Sequence, residues 1–138
     1  MLTCTILMIL MTCATCMSIV LACHVQTFST SVKTGKIIHV KPQAKIPISD
    51  ILGPYQCVMY GPLYLNKEEN VRITVTWYPS YEVLVIGLLN YETGKYIDKV
   101  VAGGYTNTIF KTWATANYYI FICNDGPLIV YYSGSIEV

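Results

Sequence analysis

The side chains able to do chemistry are few and scattered. Two histidines, eight acidic residues and six cysteines make up the whole inventory for catalysis or metal binding. His39 stands in the apolar run Ile37-Ile38-His39-Val40 with no serine or cysteine close by to activate, and His24 lies near a candidate mature terminus. The acids Asp50, Glu68, Glu69, Glu82, Glu92, Asp98, Asp125 and Glu137 are spread so that no local pair is set for general acid and base work. A GxSxG elbow, an HExxH helix, a phosphate-binding glycine loop and zinc-ligand spacing are all missing. The expectation is a chain that is not an enzyme and that uses no cofactor. Calcium is the metal whose hard-oxygen preference the sequence suits. The candidate ligands are Asn124 and Asp125 with loop carbonyls, or Asn66, Glu68, Glu69 and Asn70, and both sets also make ordinary turns.

Cysteine carries more information. Cys13-Ala-Thr-Cys16 has redox spacing but sits in an apolar leader rather than at a strand-to-helix turn. Cys57 and Cys123 each fall in an extended run, so in an oxidising compartment they pair, or they pack as two buried thiols. Cys23 follows Val20-Leu21-Ala22, which reads either as a signal-peptidase site with Cys23 as the mature N-terminus or as a loose lipobox that would acylate Cys23. An uncleaved anchor is the third reading of the same segment. The 12 tyrosines, against 3 Phe and 2 Trp, are the remaining clue. Tyr78, Tyr81, Tyr91, Tyr96 and Tyr105 fall around expected strand ends, where a large ring with a polar tip suits stacking on sugars and contacts with proteins, or simply covers the edges of a sheet.

These residues need a scaffold, and composition bounds it. With 138 residues the chain fits one domain. Hydrophobic residues at 54% and charged residues at 12% exclude a disordered chain, and a net charge of +1 gives nucleic acid no electrostatic reason to bind. No charged side chain precedes Lys33, and Ile6 to Ala22 is apolar apart from Thr12, Thr15 and Ser18. Residues 1–22 are therefore expected to be an apolar leader helix, for secretion or lipoprotein export. Residues 23–32 are expected to be a polar segment, and residues 33–138 the folded domain. The expected location is extracellular, with membrane contact only through the leader or a lipid on Cys23.

Beyond Lys33 the apolar period is two. Val71, Ile73, Val75 and Trp77 alternate with Arg72, Thr74 and Thr76, the pattern of a strand with one wet face. Val83 to Leu89 and Tyr118 to Cys123 are apolar on both faces and read as central strands. Lys36 to Val40, Tyr55 to Leu65, Thr108 to Trp113, Leu128 to Tyr132 and Gly134 to Val138 complete the strand set, with Pro62 marking an edge or a break. Glu92-Thr93-Gly94-Lys95 is a hairpin turn with glycine placed for positive φ. The three prolines of Lys41 to Pro54 suggest a loop crossing between sheets. Turns recurring at this rhythm indicate a single antiparallel β-sandwich, jelly-roll-like or Ig-like, of seven to nine strands. Its expected core includes Val71, Ile73, Val75, Trp77, Val85, Leu88, Ile120 and Ile122.

From Val71 to Val138 the runs VRITVTWYPSYEVLVIGLLNYETGKY and GGYTNTIFKTWATANYYIFICN, with a closing YYSGSIEV, resemble the bacterial pre-peptidase C-terminal type of secreted β-sandwich. Ala116-Asn117-Tyr118-Tyr119-Ile120 stands where that pattern has its tyrosine-rich strand. The resemblance implies a jelly-roll-like domain outside the cell, of a kind that accompanies secreted enzymes and in some cases binds matrix or polysaccharide. The acid usual in one strand of the pattern is absent, since Glu82 only opens Tyr81-Glu82-Val83-Leu84-Val85. Three functional expectations result. The first is a non-catalytic extracellular or cell-surface protein that binds a surface, glycan or protein through tyrosine-bearing loops. The second is a self-associating structural subunit joined by donation of the 23–32 segment to a neighbour's sheet edge. The third is a small secreted enzyme accessory or inhibitor.

Overall fold

The computed structural model describes Gly35–Val138. The expected leader helix, the Cys13 and Cys16 pair, Cys23 and the 23–32 segment lie outside the described residues. Nine strands follow in order: β1 (Lys36–His39), β2 (Lys45–Leu52), β3 (Cys57–Leu65), β4 (Asn70–Tyr78), β5 (Leu84–Asn90), β6 (Tyr96–Val101), β7 (Tyr105–Lys111), β8 (Ala116–Asn124) and β9 (Val130–Glu137). They form a five-stranded sheet, β1-β3-β8-β5-β6, and a four-stranded sheet, β2-β9-β4-β7. The described residues contain no helix.

Alternation decides which sheet each strand can join. In β4, Val71, Ile73, Val75 and Trp77 are buried and Arg72, Thr76 and Tyr78 are exposed, so the four-stranded sheet has one apolar inner face and one wet outer face. Every residue of β5 is buried, and β8 is nearly so. Both are central strands of the five-stranded sheet. Seven of the eight expected core residues lie between the sheets, together with Leu63, Leu84, Ile86, Tyr118 and Ile136. Val85 is also buried, but on the opposite face of its sheet, with Met59, Leu89 and Phe121. The β5–β6 hairpin has Gly94 at φ 73, and the Asn90 side-chain oxygen accepts from the amides of Glu92 and Thr93.

Several strand expectations are corrected. The crossing loop assigned to Lys41–Pro54 contains β2, a regular edge strand in which Ile46, Ile48 and Leu52 point inward. Its prolines masked it, yet Pro47 costs no ladder bond. The Val138 amide donates to the Ala44 carbonyl, and by alternation the 46, 48, 50 and 52 positions bond β9 while Pro47 faces the open edge. The sandwich is not wholly antiparallel, because β1 runs parallel to β3. The chain leaves β1, reverses through β2 in the other sheet and returns, so β1 and β3 point the same way. The expected strands Leu128–Tyr132 and Gly134–Val138 merge into one, β9, which begins at Val130 and runs unbroken through Gly134 to Glu137. Gly134 is there for space, since a Cβ would stand 1.9 Å from the Thr74 carbonyl oxygen. Pro62 neither ends β3 nor makes it an edge. It sits at a register shift between Tyr60 and Leu63, beyond the last residue that β1 pairs. The expected Thr108–Trp113 strand is β7, which begins at Tyr105 and ends at Lys111.

Polar tips inside the sandwich are matched to partners. The Tyr60 and Tyr132 hydroxyls bond to each other across the interior, joining β3 to β9. The Trp77 indole donates to the Glu82 carbonyl at 2.8 Å. Tyr118 donates its hydroxyl to the Ala114 carbonyl at 2.7 Å and packs edge-on against Trp113, 5.1 Å between ring centres.

Cys57 and Cys123 stand directly opposite each other on β3 and β8, Cα atoms 4.0 Å apart, and form a disulfide. The Asn124 amide donates to the Gln56 carbonyl, so the cystine occupies the neighbouring non-hydrogen-bonded pair, where side chains approach closest. It closes a loop over a separation of 66 residues. Replacing both cysteines by serine should cost about 2–4 kcal/mol of unfolding free energy. Urea denaturation of the oxidised protein and of the double variant measures this, and equal midpoints would show that the bridge adds nothing.

Candidate binding face

The outer face of the four-stranded sheet is built from residues that alternate with the core. Cross-strand register places Ile51, Tyr131 and Tyr78 in one row, then Ser49, Ser133, Thr76 and Tyr105 in the next. Pro47, Ser135, Thr74 and Asn107 follow, then Lys45, Glu137, Arg72 and Ile109, and Asn70 with Lys111 ends the face. Three rings therefore share one end: Tyr78 at 71% exposure, Tyr105 at 57% and Tyr131 at 53%. Hydroxyls of Ser49, Ser133 and Thr76 lie among them, and neither of the two aromatic rows contains a charge. A shallow cavity of about 370 Å³ opens here, lined by Thr76, Trp77, Tyr78, Tyr131, Tyr132 and Ser133. The charged end is self-paired, with Lys45 3.2 Å and Arg72 4.0 Å from Glu137. Exposed pairs of this kind add about 0–1 kcal/mol each.

The five tyrosines singled out from the sequence do not converge. Tyr78 and Tyr105 belong to this face. Tyr81 is exposed in the turn after β4, at the same end. There the β6–β7 bend abuts the turn, with Gly104 against Ser80 and the Trp77 amide donating to the Gly104 carbonyl. Tyr91 and Tyr96 belong to the other sheet, at the β5–β6 hairpin. Tyr91 leans on Tyr119 at 4.9 Å and Tyr96 lies edge-on to Phe121 at 6.2 Å. Tyr131 was missed. Its signal is in the sequence, because in Val130-Tyr131-Tyr132 alternation sends one of two adjacent tyrosines inward and the other out.

The calcium candidates are used within their own turns. Asn124 is buried, donating to the carbonyls of Leu128 and Gly53 while its side-chain oxygen accepts from the Gly126 amide. Asp125 is exposed, and its amide bonds the Val83 carbonyl. Glu69 accepts from the Asn66 amide at 2.8 Å, and Glu68 pairs with Lys111 at 3.5 Å. Among the described residues no three His, Cys, Asp or Glu side chains converge as a metal group would require. His39 is exposed on β1. Glu82 is buried against Gly126, and its Oε2 has no hydrogen-bond partner among the described residues.

Two titrating clusters border this end. Burial would raise Asp50, but the Lys36 ammonium at 2.9 Å and the Ile51 amide hold its carboxyl below the ordinary value. This contact joins β1 to β2, and hence one sheet to the other. Burial pushes the Tyr60 hydroxyl up to about 12 and raises Tyr132 as well, with the Asp50 charge adding to both.

The fold is shared with solved structures at low identity. PliG of Aeromonas hydrophila, described as a periplasmic inhibitor of g-type lysozyme, aligns with a TM-score of 0.53 and 11% identity over 74% of this chain and 95% of its own. The pre-peptidase C-terminal domain of collagenase from Bacillus anthracis aligns at 0.52 and 16%, covering 75% and 94%. PliG of Salmonella Typhimurium aligns at 0.52 and 15%, covering 75% and 98%. At these identities the likeness is one of fold. The likeness to the pre-peptidase C-terminal domain agrees with the resemblance read from the sequence, and the PliG structures share the same sandwich shape. No family model and no curated protein sequence matches the chain.

The tyrosine pair makes stability pH-dependent with a defined sign. The unfolded phenols release their protons near pH 10, whereas folded Tyr60 holds its proton to about 12. Their stabilising contribution is complete below pH 10 and declines as pH rises from there through 12. Changing both Tyr60 and Tyr132 to Phe should flatten this alkaline decline while costing little at pH 7, because both partners leave together. Melting temperatures from pH 8 to 12 test it, and parallel curves for wild type and variant would sink it.

Proposed function

We propose that the protein is a non-catalytic extracellular binding protein whose aromatic end of the four-stranded outer face takes a glycan. The observation that carries this reading is the juxtaposition of Tyr78, Tyr105 and Tyr131 with the hydroxyls of Ser49, Ser133 and Thr76 on an uncharged stretch of rigid sheet. Tyrosine rings offer flat apolar area to the C–H faces of pyranose rings, and the neighbouring hydroxyls exchange hydrogen bonds with sugar hydroxyls. Lack of charge across these two rows favours a neutral sugar. Tyr78 and Tyr131 sit on β4 and β9, which are held by ladders on both sides, so little order is lost when they bind. The cystine, and the leader expected over residues 1–22, support a location outside the cytoplasm.

A second reading has its own support. Two fold neighbours are described as inhibitors of g-type lysozyme. The same face would then meet a protein, with Tyr78 and Tyr131 as anchors.

Affinity electrophoresis through neutral polysaccharides separates these readings. Tyr131→Ala and Tyr78→Ala should each weaken retention at least tenfold, about 1.4 kcal/mol, while Tyr91→Ala leaves it unchanged. Equal loss from Tyr91→Ala would move the site away from this face. No retention, combined with inhibition of a g-type lysozyme, would favour the protein partner.

A further inference from the structure

The four sheet edges are not equally protected. β1 has four residues. β2 carries Pro47, which removes an outward N–H from the middle of its free edge, and Asp50 directed toward the interior side. β6 places Asp98 and Lys99 at its centre. β7 has seven residues, Tyr105-Thr-Asn-Thr-Ile-Phe-Lys111, without proline and with a single charge at its end. None of the devices that blunt the other edges is present there.

The ladder also shows which groups β7 presents. The Trp77 amide donates to the Gly104 carbonyl, and the Thr112 amide donates to the Glu69 carbonyl. By alternation, Thr106, Thr108 and Phe110 turn their backbone groups toward β4. The N–H and C=O groups of Tyr105, Asn107, Ile109 and Lys111 face the edge that no other described strand pairs, and all four residues are exposed.

We infer that this edge pairs antiparallel with β7 of a second copy of the chain, about a two-fold axis at Thr108. That register sets Asn107 opposite Ile109 of the partner subunit and Tyr105 opposite Lys111 of the partner subunit. All four outward-facing residues then fall in hydrogen-bonded pairs, about eight bonds in total. It is the register that uses the whole strand. The pairing is also self-complementary in side chains. On the outer face each Lys111 ammonium meets a Tyr105 ring, and the two lysines stand about 20 Å apart along the strands. On the inner face the two Thr108 side chains meet at the axis, as threonines favour across strands. Thr106 and Thr108 are already linked through their hydroxyls at 2.8 Å, which holds both side chains for that contact. With Lys111 as its one charged residue, β7 offers little repulsion to the approach.

Sedimentation equilibrium of the full chain, with two variants, tests this. The wild type should show a reversible monomer–dimer equilibrium. Asn107→Pro removes one outward N–H and leaves the bonds to β4 intact, as Pro47 does on β2, and should weaken the dimer at least tenfold. Thr108→Cys should form an intersubunit disulfide under mild oxidation, whereas Thr106→Cys, opposite Phe110 of the partner subunit, should not. The Thr108→Cys cross-link decides the matter if the proline variant fails to fold. A wild-type monomer up to about 1 mM, or a dimer whose two cysteine variants cross-link equally or not at all, would overturn the inference.

Discussion

Two sheets with apolar inner faces can slide over each other at little cost, because hydrophobic burial is not directional. What pins them here is the need to satisfy polar groups carried into the interior. Tyr60 and Tyr132 reach the same point from opposite sheets, and each is the other's hydroxyl partner. Shifting either strand by one residue would turn its phenol to the other face of its sheet and strand the remaining one in a dry core. Asn124 does similar work between β8 and the chain just beyond β2, and Lys36 with Asp50 closes the rim. With the sheets held in this register, the outward rows of β2, β9, β4 and β7 form one surface rather than four unrelated strands.

The two sheets are chemically unequal, and this assigns the roles. Met59, Val85, Leu89 and Phe121 are buried on the side of the five-stranded sheet turned away from its partner. The equivalent side of the four-stranded sheet carries serines, threonines and exposed tyrosines. A soluble ligand meets hydroxyls and rings only where the strands alternate, so β4 and β9 bear the candidate site while β5 and β8 supply the rigid centre.

Strand alternation made much of this legible in advance. Val71 to Trp77 announced its faces, the Val83 to Leu89 run announced its double burial, and Gly94 marked a hairpin. β2 was hidden because proline was read as a loop signal, whereas an edge strand needs only half of its amides. β9 was divided at a glycine that turned out to be required by the closeness of the Thr74 carbonyl. The binding face was half visible. Tyr78 and Tyr105 were in view, but grouping them with Tyr91 and Tyr96 required sequence neighbourhood to stand for spatial neighbourhood. Pairing across sheets is set by contacts between distant strands, which no local pattern encodes. Cys57 and Cys123 show the same limit, since only the β3–β8 register brings them opposite each other.

That cystine has a mechanical consequence. It bridges adjacent strands in the middle of the five-stranded sheet, so tension applied through the chain ends bypasses everything between Cys57 and Cys123. That stretch, a separation of 66 residues and about 220 Å of extended chain, cannot be paid out while the bond lasts. A domain pulled by flow or by an attached particle would yield only at β1, β2 and β9. The strands from β4 to β7 would stay inside a closed covalent loop, with Tyr78 and Tyr105 among the shielded residues and Tyr131 on the strand that carries the load.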